Sequence, residues 1–320
     1  MHFFPNPYKR RASPRHYIYM KTLAARPREY DPLNDFLFYK VMGEKGDEVQ
    51  LLGFLNAVLG KSGDDRFASV EIIENKTFTP EALGDKSCIL DVRAVLRGAA
   101  KVNVEVQLHN ERNMGRRSLF YWSKEYSQSL KAGQDYAALP AVIAINIVNY
   151  DFPPLGEFHS RFHLREDRHR EYVLSDALEI HFINMVQYRK RARGRLDEPL
   201  GRWLAWFDAG SPPELVREAV KMDSAIQTAD ERMERVTEDG EAVRAYWRRT
   251  MALCDYASSM NYAAEQGLTE GMAKGRSEGL AEGRAEEKLA IARKMKEMGD
   301  PAEKIQIITG LPPETVARIT

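Results

Sequence analysis

Alternating apolar and polar residues predict two paired β-strands between Cys88 and His109. One side of the two strands is apolar and consists of Leu90, Val92, Ala94, Leu96, Val102, Val104, Val106 and Leu108. Side chains of a strand point to opposite faces with a period of two, which is the spacing of these residues. The pattern therefore predicts a β-hairpin that turns around Gly98, Ala99 and Ala100.

The other face of this hairpin is mostly polar, with Asp91 on the first strand and Glu105 and Gln107 on the second. All eight apolar side chains share one face only if even-numbered residues pair with even-numbered ones. Centring the turn on Ala99 then places Asp91 opposite Gln107 and diagonal to Glu105, within roughly 5 to 8 Å at Cβ. At that distance the three side chains could bind one metal ion.

The remaining pattern predicts helices and strands on both sides of the hairpin. Helices are expected at 30–42, 48–59, 110–132, 199–208, 213–235 and 241–266, and further strands at 67–78, 139–148, 158–165 and 178–185. A strand, helix and strand in succession indicate a mixed α/β sheet, here followed by an all-helical region. Residues 142–148 are apolar on both faces, so we expect helices on both sides of the sheet and partners for its buried acids.

Oxygen donors dominate the candidate metal ligands. Asp35 and Glu48, from the N-terminal helices, could complete the set, and carboxylates without clustered Cys or His suit Mg²⁺ or Mn²⁺. The alternatives are a half-solvated sheet face for the hairpin and ordinary helix-surface acids for Asp35 and Glu48. His109 could act as a base beside the site or be an exposed histidine at a strand end.

A second possible metal site involves three histidines that follow the buried strand. His159, His163 and His169 could suggest zinc, but their spacing fits a strand and a charged loop better.

Composition indicates a soluble globular protein. Of the 320 residues, 43% are hydrophobic and 29% charged, and no run of about 18 apolar residues predicts a membrane span. The 47 basic residues balance the 47 acidic ones, so any affinity for DNA must be local. Cys88 and Cys254 form no CxxC motif, which indicates a reducing compartment, and we expect the cytoplasm.

The two ends of the chain differ from its middle. Residues 1–29 are basic without a hydrophobic stretch typical of a signal peptide, and Met20 is an alternative start. Near the C-terminus glycine occupies every fourth position from 267 to 283. Such glycines form a stripe where a second helix can approach, so we predict a self-associating helix, with a flexible linker as the alternative.

Several blocks in order resemble one known family. They are DPLNDFLFYKVM, LLGFLNAVLG, ILDVRAVL, VNVEVQLH and GQDYAALPAVIAINIV. Together they resemble the Rpn (recombination-promoting nuclease) and putative transposase family of the PD-(D/E)XK nuclease superfamily, from about residue 30 to 190. The glycine-patterned tail is similar to the C-terminal region of that family as well.

The resemblance implies an active site on the hairpin. Asp91 and Glu105 occupy the positions of the metal-binding acids, and Gln107 occupies the position of the motif lysine. Asp35 is a further candidate ligand. The implied chemistry is hydrolysis of a phosphodiester bond assisted by Mg²⁺ or Mn²⁺, with Gln107 positioning water. An amide cannot supply the charge or the proton transfer of a lysine.

Basic residues just past this site suit phosphate contacts, although they are equally consistent with a solvated helix face; they are Arg112, Arg116 and Arg117. A denser basic run spans residues 189–195. It could contact the DNA backbone or form a charged linker.

The sequence thus predicts a restriction-endonuclease-like α/β fold. Its parts are a basic extension (1–29), a nuclease-like core (30–195), a helical region (196–266) and a glycine-patterned tail (267–320). The predicted function is a metal-dependent DNA endonuclease linked to recombination or mobile elements. Its predicted partners are DNA and, through the glycine-patterned helix, a second copy of the chain; no association with a membrane is expected. The alternative is a catalytically inactive DNA-binding or oligomeric interaction protein that retains the nuclease fold.

Overall fold

The computed structural model describes residues 28–46, 48–73, 92–96 and 100–319. The basic extension up to residue 27, Cys88, Asp91 and the turn at 97–99 lie outside the described residues. Within them, the chain forms two compact units that meet in sequence between Tyr256 and Ala257.

Helices and strands are mixed in the first half of the chain. The strands are β1 (Val70–Ile72), β2 (Val92–Leu96), β3 (Ala100–Gln107), β4 (Ala141–Val148), β5 (His159–Arg165) and β6 (Val173–Asn184). The helices of this half are α1 (Asp35–Met42), α2 (Val49–Val58), α3 (Met114–Ser127) and α4 (Met185–Arg191). The later helices are α5 (Pro199–Phe207), α6 (Pro213–Met222), α7 (Ser224–Glu238), α8 (Gly240–Glu297), α9 (Ala302–Thr309) and α10 (Pro313–Arg318).

The six strands form one mixed sheet in the order β1-β2-β3-β4-β6-β5. β1, β2 and β3 are antiparallel, β4 lies parallel to both β3 and β6, and β5 is antiparallel to β6 at the edge. Helices cover both faces of the sheet, and an all-helical region follows it. The predicted restriction-endonuclease-like α/β fold is confirmed.

The hairpin of β2 and β3 has the predicted parity but a different register. Val92 pairs with Val104 and Leu96 with Ala100, whereas a turn centred on Ala99 would pair Val92 with Val106. The predicted register was therefore wrong by two residues. The observed pairing brings Ala100 into the strand, where its side chain is 6% exposed opposite the fully buried Leu96.

Several predicted elements differ in length from the observed ones. The helix expected at 110–132 is shorter, because α3 begins at Met114, and β6 extends to Val173. The helix expected at 213–235 is two helices, because Asp223 has an extended backbone and its side chain caps the first turn of α7 by accepting from the amide of Ala225 at 3.0 Å.

The main hydrophobic core lies on the even-numbered face of β2 and β3. Residues of α1, α2, α5 and α7 fill this core together with Val102 and Val104 of β3. Trp203 and Phe207 of α5 contact Phe54 of α2, with ring centroids 5.6 and 5.3 Å apart. The helices that follow the sheet in sequence therefore contribute to its core.

A smaller core lies on the opposite face, beneath α3. Met114 of α3 packs there with Ala144 and Val148 of β4 and with Phe182 of β6. The indole Nε1 of Trp122 donates to the backbone oxygen of Val142 at 2.9 Å, which ties α3 to the central strand. This face is the one that carries Glu105 and Gln107.

The second unit contains the glycine-patterned segment. The helix α8 runs through all five glycines at 267–283, so the predicted helix is confirmed for this segment. A small cluster of Ala292, Ile305, Val316 and Ile319 joins the end of α8 to α9 and α10. None of the described helices is long and apolar enough to cross a membrane.

We expect Gly53→Ala to destabilise the fold despite the higher helix propensity of alanine. A Cβ at position 53 would lie 2.4 Å from the Cβ of Ala225, where α2 packs on α7. Overpacking of this kind costs about 1 to 3 kcal/mol in free energy of unfolding. The measurement is urea denaturation followed by circular dichroism.

Gly240→Ala, at the start of α8, is the matched control, because a Cβ there lies 3.5 Å from the exposed Arg244 side chain, an ordinary contact. It should leave the free energy of unfolding unchanged or raise it by less than about 1 kcal/mol. Equal or greater stability of Gly53→Ala would contradict the close approach of α2 and α7.

Candidate active site

The centre of the candidate site is the polar face of β3. Glu105 and Gln107 are two residues apart in this strand and therefore share a face. Glu105 is only 5% exposed, and in the parallel register of β3 and β4 it lies beside Asn146. A carboxylate buried to this degree needs partners that compensate for its lost hydration.

Arg117 of α3 supplies such a partner. Its Nε donates to Oε1 of Glu105 at 2.9 Å, and its Nη2 lies 2.7 Å from the same oxygen. The guanidinium also lies 5.4 Å from the ring centroid of Tyr121. Burial acts to lower the pKa of Arg117, but the charges of Glu105, Tyr121 and Glu111 outweigh it and raise that pKa.

A second group of buried charges lies further along the same face. Glu125 of α3 is 9% exposed and forms ion pairs with Arg93 of β2 and with Lys101 of β3, whose Nζ is 3.4 Å from Oε1. Two strand cations thus face one helix acid. Sequence periodicity did not identify Glu125, because its role depends on how α3 lies across the sheet.

Two neutral side chains complete the layer between α3 and the sheet. The hydroxyl of Ser118 donates to Oδ1 of Asn146 at 3.1 Å, and Nδ2 of Asn146 donates to the backbone oxygen of His181 at 3.0 Å. Tyr150, just past β4, has a raised pKa, first because of burial and then because of the negative charge of Glu105. Its hydroxyl therefore stays protonated near the site.

Gln107 and His109 lie at the end of β3. Nε2 of Gln107 donates to the backbone oxygen of His109 at 3.3 Å. Burial lowers the pKa of His109, although the negative charges of Glu111 and Asp35 oppose the shift. The imidazole is half-buried and is neutral near pH 7.

Asp35 begins α1, where Asn34 caps the helix by accepting from the amides of Phe36 and Leu37. Its carboxylate forms a bidentate pair with Arg249 of α8, with Nε 3.1 Å from Oδ1 and Nη2 2.7 Å from Oδ2. Arg249 is 3% exposed at its side chain. Glu48 has a local contact and accepts from the amide of Gly46 at 3.1 Å.

The described oxygen donors suit a hard divalent cation. Glu105 offers a carboxylate and Gln107 an amide oxygen from one face of β3, the donor types that Mg²⁺ and Mn²⁺ prefer. Among the described residues there is no group of three or more His, Cys, Asp or Glu side chains arranged to hold a metal. Asp91, the predicted further donor, is outside the description.

The model of the PD-(D/E)XK nuclease family transposases matches residues 32–263. The chain belongs to this family. The predicted Rpn and putative transposase resemblance is thereby confirmed, and the matched range includes the sheet, α3 and the helices that fill the main core. Comparisons with curated proteins and with solved structures give no match. Family membership indicates a nuclease with DNA as its substrate, and nucleases of this superfamily generally use divalent metals.

The three arginines predicted to contact DNA have different surroundings in this member of the family. Arg112 precedes α3 and has a positive φ of 59°. Arg116 is exposed on α3, whereas Arg117 is paired with Glu105. In the basic run after β6, Arg189 and Arg193 both bind the buried Asp208, a contact that fixes α4 relative to α5.

Two of the three histidines considered for zinc belong to a cluster on β5 and β6 of the nuclease fold. Nε2 of His159 lies 2.8 Å from Nδ1 of His181, and Nε2 of His181 lies 2.9 Å from Oε1 of Glu179. His163 lies 3.7 Å from the same carboxylate oxygen, while His169 is exposed in the hairpin loop. Because a carboxylate only accepts, His181 donates to Glu179 and His159 donates to His181.

The His159 imidazole should make folding sensitive to acid. Burial, His181 and Arg161 lower the pKa of His159 from 6.5 to about 4, although the charge of Glu179 opposes the shift. Between these values the unfolded chain takes up a proton that the folded chain rejects. The contribution of His159 to the free energy of unfolding should therefore be complete above pH 6.5, and the free energy of unfolding should fall as the pH drops toward 4.

The measurement is chemical denaturation across this pH range. His159→Gln should show a shallower decline than the wild type, whereas His169→Gln, at a position with a side chain 74% exposed, should keep the wild-type slope. An unchanged slope in His159→Gln would show that this imidazole is not the acid-sensitive group.

Proposed function

We propose that this chain is a metal-dependent endonuclease that hydrolyses phosphodiester bonds in DNA and acts in recombination or on mobile elements. The observation that supports it best is the buried Glu105, held by Arg117 on the polar face of β3 in a chain of the nuclease family. Glu105 is a buried carboxylate next to Gln107 on one strand face, and its oxygens are of the type that a hard divalent cation prefers.

Asp91 and Glu105 are the proposed metal ligands. The alternation of apolar and polar residues in the sequence assigns Asp91 to the same face of the hairpin as Glu105. Facing positions on paired strands have Cβ atoms about 4.5 to 5.5 Å apart, which suits two ligands of one ion. When bound, Mg²⁺ or Mn²⁺ would polarise the scissile phosphate and lower the pKa of bound water.

Asp35 is proposed as a weaker ligand. Arg249 engages both of its carboxylate oxygens, so binding a metal would require Asp35 to share or release that ion pair. The charge of Asp35 reaches His109, because it acts to raise the pKa of that imidazole. Asp35 therefore lies at the same end of the sheet as Gln107.

Gln107 and His109 divide the work that one lysine would do. The amide of Gln107 can orient water or contact a phosphate oxygen, but it does not exchange a proton at neutral pH. His109 is two residues further along the chain, and burial keeps its imidazole neutral. We assign proton acceptance to His109 and orientation to Gln107.

Glu105→Gln should abolish cleavage. The substitution keeps the shape of the side chain and removes the charge that would bind the cation. We expect nicking of supercoiled plasmid in Mg²⁺ to fall by more than about 100-fold, since loss of even an outer partner of a metal ligand costs roughly 10- to 100-fold. Asp91→Ala should reduce nicking to the same extent, and EDTA should stop nicking by the wild type.

Glu218→Gln is the charge-matched control, at an exposed position on α6, and it should nick like the wild type. Equal nicking by Glu105→Gln would refute the site. If the wild type retards DNA in a gel but never cuts it with Mg²⁺ or Mn²⁺, the chain is instead an inactive DNA-binding protein with the nuclease fold.

We further propose that Arg112, Arg116 and Arg117 lie along the DNA path, with different roles. Arg116 is exposed and should contact a phosphate directly. Arg116→Gln should lower the slope of log affinity against log salt by about one. Arg117→Gln should instead reduce cleavage more than it reduces affinity, because it leaves Glu105 without its guanidinium.

Fluorescence anisotropy in EDTA separates these effects from cleavage. Arg217→Gln is the control, since its side chain is 64% exposed on α6, apart from the site. A wild-type salt slope in Arg116→Gln would exclude a phosphate contact at this position.

Self-association through the glycine-patterned part of α8 remains part of the proposal. Among the described residues of the second unit, a Cβ at any of these five glycines would meet nothing within 4 Å, which leaves their surface open to a second helix. A homo-oligomer could bring two nuclease sites to one DNA molecule.

A further inference from the structure

A basic cavity of the first unit lies away from the candidate active site. It has a volume of about 450 Å³ and is bounded by the end of α1, the loop after it, the end of α7 and the start of α8. Asp35 begins α1, whereas Lys40 lies in its last turn, so the cavity is at the opposite end of that helix from the candidate site. The lining residues are Lys40, Glu44, Lys45, Gly46, Arg232, Arg235, Val236, Asp239 and Ala242.

The cations of this cavity outnumber its acids. Among the described residues, four basic and two acidic side chains line it, and together these six carry a formal charge of +2. Glu44 is already shared by two of the cations, since it pairs with Lys40 and lies 3.1 Å from Nη2 of Arg232. Asp239 accepts from the amide of Glu241 at 2.9 Å, at the first turn of α8.

Arg232 ties together two of the elements that form the wall of the cavity. Its side chain is 11% exposed, and its Nε donates to the backbone oxygen of Lys40 at 3.0 Å. This contact joins the end of α1 to α7 across 192 residues of sequence. Arg235 follows one turn later on α7, so it projects from the same side of that helix.

Lys45 and Arg235 are the cations that remain for a ligand. Within the described part of the chain neither of them forms an ion pair, and both are exposed. Two such cations in a concave site with a net positive charge favour a compact anion with several acceptor oxygens. A volume of this size is within the range of about 300 to 1,000 Å³ that accommodates small-molecule ligands.

We propose that this cavity binds a small phosphorylated anion of the size of pyrophosphate or a nucleoside diphosphate, held by Lys45 and Arg235. The proposal is independent of the nuclease activity, because none of the proposed metal ligands lines the cavity. Its failure would leave the nuclease proposal untouched.

Titration calorimetry on the full chain tests the proposal, with pyrophosphate and then a nucleoside diphosphate as probes. EDTA is present throughout, so that no divalent ion can carry a phosphate to the candidate active site. We expect one molecule to bind per chain. The double variant Lys45→Gln with Arg235→Gln should lose at least about tenfold in affinity, because both charge-assisted contacts disappear.

The control is Lys131→Gln with Arg168→Gln, which removes the same charge from exposed positions outside the cavity. It should bind the probes like the wild type. An equal loss in the control, or no binding of either probe to the wild type, would overturn the proposal. So would a short DNA duplex that competes with pyrophosphate, since the cavity would then be a contact for the DNA backbone.

Discussion

Charge pairing between α3 and the sheet is the constraint on which the candidate site depends. Because helices cover both faces of the sheet, the polar residues of β2 and β3 lie in a layer with little water. Leaving a buried charge without its partner costs about 3 to 5 kcal/mol. Arg117 and Glu125 of α3 meet this requirement for Glu105 and for the strand cations. The chemistry of the strand face thereby fixes where α3 can lie.

The same pairing links the stability of the sheet to the geometry of the candidate site. Arg117 approaches Oε1 of Glu105 through two nitrogens, which holds the carboxylate in one orientation. A guanidinium cannot lose its proton near neutral pH, so it keeps a positive charge beside any phosphate that approaches the end of β3. A helix that packs on the sheet through this arginine also presents the exposed Arg116 to solvent at the same end. The residue that stabilises the buried acid therefore also positions the basic surface.

Alternation along the sequence predicted the hairpin, its polar face and the grouping of Glu105 with Gln107, but not the register. A shift of two residues leaves every side chain on the same face, so burial cannot distinguish the two pairings. Only the length of the turn distinguishes the two pairings, and in the observed pairing Ala100 belongs to the strand. Contacts such as Arg249 with Asp35 join positions 214 residues apart. Periodicity describes one element at a time and holds no information on such partners.

In the proposed site Gln107 takes the position of the motif lysine, which alters the chemistry of the site more than its shape. A lysine would bring a positive charge and an exchangeable proton to position 107, and Gln107 brings neither. Arg117 already supplies a permanent positive charge next to Glu105, and a lysine beside it would add repulsion between like charges. What the site still needs is a proton acceptor. Burial lowers the pKa of His109, so its imidazole is unprotonated at neutral pH and could accept a proton within two residues of Gln107. The substitution is therefore compatible with hydrolysis if charge and proton transfer reside on different side chains.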